Sequence, residues 1–169
     1  LDSGIRIRKQ EQVIADMKQL NQVYGVNYFY FVDELAIVSK KQILKLLDLI
    51  IKEMPPIKFR IDCRVTCFDD EVALALKKAG CVFLNIGFET SSQTVLDQMN
   101  KRATIEMNVN AAEIALKHGL GMGINMIWGM AGDTLETMRS NSTFIKRFNQ
   151  YDQIRTVRPV TPYPGSPLY

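Results

Sequence analysis

The sequence lacks any apolar run of the roughly 18 residues that a membrane-spanning helix requires, and it lacks the charged and then apolar start of a secretory signal. Cysteine is also scarce. Three cysteines in 169 residues are too few for a disulfide-stapled secreted fold, and they are typical of a reducing compartment. We therefore expect a soluble cytoplasmic protein without membrane partners.

The chain also has no block of like charge. Its 21 basic and 18 acidic side chains give a net charge of +3 and are spread along the sequence, so nothing indicates a nucleic-acid surface. A chain of this length that is 47% hydrophobic can bury one sizeable core. We interpret residues 1–169 as a single domain.

Helical and extended patterns alternate from one end of the chain to the other. Short apolar runs predict five strands, at residues 27–32, 58–63, 81–87, 121–128 and 154–160. Helical spacing, caps and terminal glycines predict six helices, at residues 10–24, 39–54, 69–78, 92–99, 104–118 and, starting at Asp133 or Thr134, to about residue 148. We expect Asp133 to cap this last helix, with Glu136 three residues later completing a box-like pair.

Strands separated by helices of this length indicate βαβ units and a parallel α/β sheet. Two architectures fit the alternation: a doubly wound open sheet and an incomplete barrel. In both, ligands lie at the carboxyl ends of the strands, where loops can present polar groups.

Several polar or glycine residues follow the predicted strands directly. Asp33 and Glu34 are placed to meet the ammonium of a ligand, although they could also only solvate a loop. Arg64 suits a carboxylate or remains a surface cation, and Glu89 suits sugar hydroxyls or the dipole of the next helix. Gly129 provides a tight turn and permits close approach of the backbone to a ligand.

Several of these strand ends resemble motifs of the radical S-adenosylmethionine (SAM) superfamily, most closely those of the branch that often carries a cobalamin-binding domain. G-F-E-T-S-S at 87–92 is similar to the family's G-x-E-S-G-S, and M-N-K-R-A-T at 99–104 is similar to M-x-K-x-x-T. P-Y-P-G-S-P-L-Y at 162–169 nearly repeats P-x-P-G-T-P-L-Y, while G-M-A-G-D-T at 129–134 departs from G-x-P-G-E-T at two positions. Further similar segments lie at 5–8, 24–34 and 79–81, and Arg64 stands where that branch commonly has an arginine.

The resemblance implies an α/β fold that is an incomplete TIM-like (βα) barrel of about five parallel strands, whose first strand and cluster loop are missing. The family's C-x-x-x-C-x-x-C motif is absent from the sequence. We therefore expect a fragment of a longer chain, with the ligands of a 4Fe-4S cluster upstream of Leu1. Cys63, Cys67 and Cys81 are not expected to bind metal, and the fragment alone is expected to be inactive.

The resemblance also implies an activity and its cofactors. In the full-length protein, SAM would be cleaved reductively to a 5′-deoxyadenosyl radical for methyl transfer or oxidative rearrangement of a small-molecule substrate. The expected cofactors are SAM, the 4Fe-4S cluster and cobalamin in a separate domain. The expected electron donor is a protein such as flavodoxin or ferredoxin.

Seven residues are assigned to cofactor binding. By the resemblance, Asp33 and Glu34 correspond to the segment that receives the SAM amino group, while the fixed charge of Arg64 suits the methionyl carboxylate or an acidic substrate. Glu89 and Thr90 match the ribose segment. The remaining cofactor-contact assignments are Gly129, near the adenine, and Ile127, although strand alternation alone leaves open whether Ile127 or Trp128 faces the barrel interior.

Two other functions fit the same alternation of strands and helices. One is an ordinary metabolite-binding α/β barrel enzyme that holds a phosphorylated ligand at helix amino termini, for which no constellation of nucleophile and base is visible. The other is a non-catalytic scaffold domain that keeps the fold without a cluster. Cluster cysteines in the parent sequence would distinguish the enzyme from the scaffold.

Overall fold

The computed structural model describes residues 8–32, 37, 39–148 and 155–165. The helices are α1 (Gln10–Tyr24), α2 (Lys40–Glu53), α3 (Asp70–Ala79), α4 (Gln93–Gln98), α5 (Ile105–Lys117) and α6 (Leu135–Arg147). The strands are β1 (Tyr28–Phe31), β2 (Lys58–Arg64), β3 (Cys81–Glu89), β4 (Gly121–Trp128) and β5 (Arg155–Pro159).

The five strands form one parallel sheet in the order β1-β2-β3-β4-β5. A doubly wound sheet would reverse its strand order at a switch point, and here each strand lies beside its neighbours in the chain. The order therefore separates the two architectures that the sequence left open. The sheet is a curled half-barrel with α/β alternation, which confirms the predicted incomplete TIM-like barrel.

The two faces of the sheet carry different side chains because residues alternate along each strand. Phe59, Ile61, Leu84, Ile86 and Ile124 are each no more than 1% exposed. They belong to the hydrophobic core that the sheet shares with side chains of the helices, such as Leu47, Leu76 and Ala112. The opposite, concave face is lined largely by polar residues and glycine. One face of the sheet therefore packs into the core, and the other presents polar groups.

The connection from α3 to β3 shows why the chain turns where it does. The Asp69 side chain accepts a hydrogen bond from the Val72 N–H at 3.0 Å and caps the start of α3. Gly80 ends the helix with a φ of 98°, and a Cβ at this position would lie 2.1 Å from the Ile57 carbonyl oxygen. Only glycine fits both requirements.

Some predicted boundaries differ from those observed. Strand β3 continues two residues beyond the predicted end, to Glu89, and an unpredicted 3-10 turn covers Val65–Cys67. Helix α6 is capped by Thr134, which exchanges hydrogen bonds with Thr137, so the predicted pairing of Asp133 with Glu136 is wrong. Among the helices of the described residues, none is long and apolar enough to cross a membrane.

Candidate functional site

The concave face of the sheet opens into a cavity of about 440 Å³ at the carboxyl ends of β2, β3 and β4. Its lining combines carboxylate, cationic, amide and apolar side chains. The lining residues are Asp62, Cys63, Arg64, Asn85, Gly87, Glu89, Met99, Asn100, Lys101, Asn125 and Ile127. Such a mixture of converging polar groups is typical of a small-molecule site.

The strand register sorts part of this lining into two rows. Asp62 pairs with Asn85 on the neighbouring strand, and Arg64 pairs with Gly87 one row closer to the mouth. Asn125 lies beside Gly87 in that second row, and its Nδ2 donates to the Asn85 Oδ1 at 2.8 Å. The cavity therefore has a deeper row of hydrogen-bonding groups and a row near the rim.

Two glycines on the concave face leave room for the polar side chains beside them. A Cβ on Gly87 would lie 2.6 Å from the Glu89 Oε1, and a Cβ on Gly123 would lie 2.6 Å from the Asn85 Oδ1. Any side chain at either position would displace a polar group of the cavity.

Glu89 projects from a local distortion at the end of β3. Its φ is 64°, a left-handed conformation that is rare outside glycine, and the pairing with β4 shifts register between Gly87 and Glu89. The Thr90 N–H donates to the Phe88 carbonyl at 2.8 Å, which closes a three-residue turn around Glu89. Such strained conformations persist where the surrounding structure holds them.

Lys101 contributes to holding Glu89 in place. Its Nζ forms an ion pair with the Glu89 Oε1 and donates to the Gly87 carbonyl at 2.8 Å. The two side chains are only 11% and 17% exposed. Burial lowers the pKa of Lys101, the nearby Arg64 cation lowers it further, and Glu89 opposes both effects. Within the described residues the hydrogen bonds of the Glu89 carboxylate involve Oε1, so Oε2 is available to a ligand.

Two buried asparagines support the turn from behind. The Asn108 amide donates to the Phe88 carbonyl at 3.0 Å and to the Thr90 carbonyl at 3.1 Å, so one side chain holds both residues that flank Glu89. The Asn141 Oδ1 accepts hydrogen bonds from the Ser91 N–H at 2.6 Å and from the Thr90 hydroxyl at 3.3 Å. The position of Glu89 is thus determined by α5 and α6 as well as by β3.

The predicted site residues occupy different places. Arg64, Glu89 and Ile127 line the cavity, which identifies Ile127 as an inward-facing residue of its strand. Thr90 is 1% exposed, lies outside the lining, and bonds to Asn141 instead.

The other predicted positions are not in the lining. Gly129 has a φ of 86°, and its N–H donates to the Asp133 carboxylate at 2.8 Å, as does the Met130 N–H at 2.9 Å. Asp133 thus holds the β4–α6 turn. Asp33 and Glu34 lie outside the described residues.

The cysteines lie in or against the hydrophobic core, an environment that does not suit metal ligands. Burial raises the pKa of the Cys63 thiol and raises that of Cys81 to about 12, so both remain protonated at neutral pH. Cys63 donates to the Arg64 carbonyl at 3.1 Å. In the part of the chain that the structure describes, no group of three or more His, Cys, Asp or Glu side chains could hold a metal ion.

Sequence reasoning assigned no role to several residues that shape the cavity. Lys101 stood in a recognised motif, and its position beside Glu89 depends on α4, whose six residues return the chain to the end of β3. Asn108 had one local signal, an asparagine inside a helix at a position that the helical pattern makes apolar. Asn85 had another, since it interrupts an apolar stretch of β3 with a polar side chain, and Asp62 stands in the alternating polar positions of β2.

The sequence model of the Radical SAM superfamily matches residues 2–144, most of the chain. An uncharacterized methyltransferase of Pyrococcus horikoshii is 29% identical over 160 residues, which are 94% of this chain and 34% of that protein. The anaerobic magnesium-protoporphyrin IX monomethyl ester cyclase of Rubrivivax gelatinosus is 26% identical over 166 residues, 97% of this chain and 30% of that protein. The chain therefore spans about a third of the length of these curated relatives.

A solved structure has a similar fold. The radical S-adenosylmethionine methyltransferase TsrM of Kitasatospora setae, determined with cobalamin and a 4Fe-4S cluster bound, superposes with a TM-score of 0.78 at 20% sequence identity. The match covers 89% of this chain and 29% of TsrM. At this identity the likeness concerns the fold.

Proposed function

The chain belongs to the radical SAM superfamily, and from this membership we propose that the cavity at the carboxyl ends of β2, β3 and β4 binds SAM. The observation that carries the proposal is the Glu89 carboxylate, held over the cavity in a strained turn with one oxygen directed to Lys101. A strained and well-supported side chain at the mouth of a cavity is typical of a binding site.

The lining residues fit the chemical groups of SAM. Arg64 at the rim provides a fixed cation for the methionyl carboxylate. The Glu89 carboxylate is an acceptor for the ribose hydroxyls, and Thr90 supports that contact from the core through its bond to Asn141. Ile127 offers an apolar surface in the cavity for the adenine, beside the turn at Gly129. Asp33 and Glu34 remain our assignment for the amino group.

The described residues do not fit an iron–sulfur cluster. Two of the three thiols have raised pKa values, and the sequence lacks the C-x-x-x-C-x-x-C spacing. We therefore assign the cluster ligands to other cysteines and derive no step through the cluster. The part that we assign to this chain is to orient SAM and the substrate and to exclude water.

For the whole protein we propose methyl transfer or oxidative rearrangement of a small molecule. With a cluster bound, transfer of one electron to SAM would supply a 5′-deoxyadenosyl radical and release methionine, which is the chemistry that membership of the family implies. The names of the two curated relatives, a methyltransferase and a cyclase, support both reaction types. The cobalamin in TsrM supports cobalamin as a further cofactor. A flavodoxin or ferredoxin is the proposed reductant, in the reducing cytoplasm that the cysteine content indicates.

Titration of the protein with SAM, monitored by calorimetry, tests the proposed site. Glu89→Gln keeps the size of the side chain and removes its charge, so we expect SAM to bind about tenfold more weakly, equivalent to about 1.4 kcal/mol. Arg64→Met should weaken binding to a similar extent because it removes the carboxylate contact.

The matched control is Glu113→Gln. Glu113 lies on α5 and pairs with Arg147. Its side chain is 53% exposed and does not line the cavity, so it should not contact SAM. This variant should bind SAM as the unaltered protein does. Failure of the unaltered protein to bind SAM would contradict the proposed function, and equal affinities of the Glu89 and Glu113 variants would mean that SAM binds away from Glu89.

A further inference from the structure

The deeper row of the cavity contains an acceptor that lacks a partner. The Asp62 Oδ1 is inaccessible to solvent and has no hydrogen-bond partner among the described residues. Asp62 also belongs to the cavity lining, so the residue can be reached from the cavity although this one oxygen cannot. Burial of an unpaired oxygen raises the free energy of the charged carboxylate, and a donor that approaches the carboxylate from the cavity can offset this cost.

The two neighbouring cations on the same face of β2 do not pair with Asp62. The Arg60 guanidinium lies over the Tyr30 ring, with Cζ 3.9 Å from the ring centroid, and 5.5 Å from the centroid of Phe83. Arg64 stands on the other side, at the rim. The Arg60 Nε, like the Asp62 Oδ1, is buried without a hydrogen-bond partner among the described residues, so the two atoms do not bond to each other. The Asp62 carboxylate can therefore accept from a group that enters the cavity.

The neighbouring residues add polar groups at the same depth. Asn85 lies beside Asp62 in register, and its Oδ1 accepts from Asn125. Gly123, on the far side of Asn85, has no side chain, and the Asn85 Oδ1 and the Phe83 ring occupy the space where its Cβ would lie. Arg60 and its two aromatic neighbours lie beneath Asp62, so this part of the cavity is reached from the rim.

We propose that Asp62 and Asn85 form a substrate subsite for a protonated amine or another N–H donor, below the row that holds SAM. The inference rests on the proposed function, because it assigns the rim to SAM and the deeper row to the substrate. The Asp62 carboxylate is the charged acceptor. The Asn85 Oδ1, which already accepts from Asn125, is a second acceptor for the same N–H donor group. This subsite would select substrates that carry such a nitrogen near the reacting carbon.

Ethylammonium is a suitable probe because it presents three N–H donors on a small apolar stem. We expect it to shift the NMR resonance of the Asn85 side-chain amide saturably in the protein. Tetramethylammonium, which carries the same charge without an N–H, should produce no saturable shift. In Asp62→Asn the ethylammonium affinity should fall by about tenfold or more, as expected for loss of a charge-assisted hydrogen bond. Absence of a saturable shift, or a shift that persists in Asp62→Asn, would overturn the subsite.

Thermal unfolding provides a second, independent measurement. Asp62→Leu replaces the unpaired carboxylate with an apolar group of similar size, so the melting temperature should rise. A lower melting temperature would mean that the carboxylate stabilises the fold through a partner of its own, and the inference would then be wrong.

SAM titration separates the failure of this inference from failure of the proposed function. Asp62→Asn should change SAM affinity less than twofold, whereas Glu89→Gln weakens SAM and leaves ethylammonium binding intact. A large loss of SAM affinity in Asp62→Asn would place Asp62 in the cofactor site and overturn the subsite. If SAM fails to bind the unaltered protein while ethylammonium binds through Asp62, only the proposed function fails.

Discussion

Asn108 is the residue on which the turn around Glu89 most depends. It is 1% exposed, and its amide nitrogen donates to the Phe88 and Thr90 carbonyls, of which that of Phe88 also accepts from the Thr90 N–H. A buried carbonyl without a donor would be costly, so a single amide stabilises two acceptors at once. Asn108 is not in the cavity lining and acts through the turn that holds Glu89, so it is a positioning residue.

Asn108→Asp should destabilise the protein by about 2–4 kcal/mol, because a carboxylate of the same shape cannot donate to the two carbonyls. The introduced carboxyl group could still donate to one of them when it is protonated, so its pKa in the folded variant should be raised. The variant should therefore be more stable at about pH 5 and lose stability as the pH rises to about 8. Urea unfolding at the two pH values measures both effects.

The control for this substitution lies two residues further along the same helix. Asn110 is exposed on α5, so Asn110→Asp should change the unfolding free energy by less than about 0.5 kcal/mol at either pH. If both variants lose the same stability, the clamp on the Phe88 and Thr90 carbonyls contributes nothing.

The sequence predicted single residues unevenly. Arg64 and Glu89 follow strand ends, which are local properties of the sequence, and both line the cavity. Ile127 also lines it, although alternation alone had not decided between Ile127 and Trp128. Thr90 was assigned with Glu89 from the resemblance to the ribose segment, and the turn at Glu89 places it in the core, against Asn141. The supporting contacts of Asn108 and Asn141 join residues 18 and 50 apart in the chain, and no local pattern marks such distant partners.

Element boundaries depend on short-range rules, and most were predicted within two residues. Helix α3 illustrates the reason: an aspartate cap at one end and a glycine stop at the other act within the helix itself. The extension of β3 to Glu89 was not predicted, because the last two residues pair through a shifted register that depends on β4. The choice of Thr134 as cap arises because Asp133 is already used by the turn before it.

The two glycine stops of α1 and α3 offer a comparison at the scale of elements. Gly25 and Gly80 both have positive φ, 68° and 98°, but a Cβ at Gly25 meets nothing within 4 Å whereas one at Gly80 collides with the Ile57 carbonyl. Gly25→Ala should therefore cost about 1–2 kcal/mol, the penalty of the left-handed backbone alone. Gly80→Ala should cost about 3 kcal/mol or more, since the overpacking is added.

Chemical denaturation of the two variants measures this difference. The expected order is set by one contact, because both helices end at a left-handed glycine whose N–H bonds to the last turn. Equal losses would mean that the strand β2 shifts to accommodate the new methyl group.

At the scale of the whole molecule, the sequence could not distinguish a barrel from a doubly wound sheet, because strand order is a property of the assembled sheet. In the observed order every strand lies beside its neighbour in the chain, so strands that are consecutive in the sequence contribute adjacent parts of the core. Two of the cysteines lie inside that core, with Cys63 6% exposed and Cys81 2% exposed.

These thiols should report on unfolding of the whole molecule. At neutral pH, N-ethylmaleimide should modify the partly exposed Cys67 in the folded protein, while Cys63 and Cys81 react only as fast as the sheet opens. Burial contributes twice, since it blocks the reagent and raises the thiol pKa, in Cys81 to about 12. Mass spectrometry of the labelled peptides gives the three rates. Native labelling of Cys81 at the rate of Cys67 would show that β3 opens locally.

The inward surfaces of β3 and β4 present bare hydrogens at Gly87 and Gly123 where other residues would present carbon. A single methyl group at Gly87 would displace the Glu89 carboxylate, and one at Gly123 would displace the Asn85 amide or the Phe83 ring, so one substitution at either point would reshape this polar face. In other proteins with this half-barrel, the residues at these two positions should accordingly indicate how large a ligand fits, before any substrate is known.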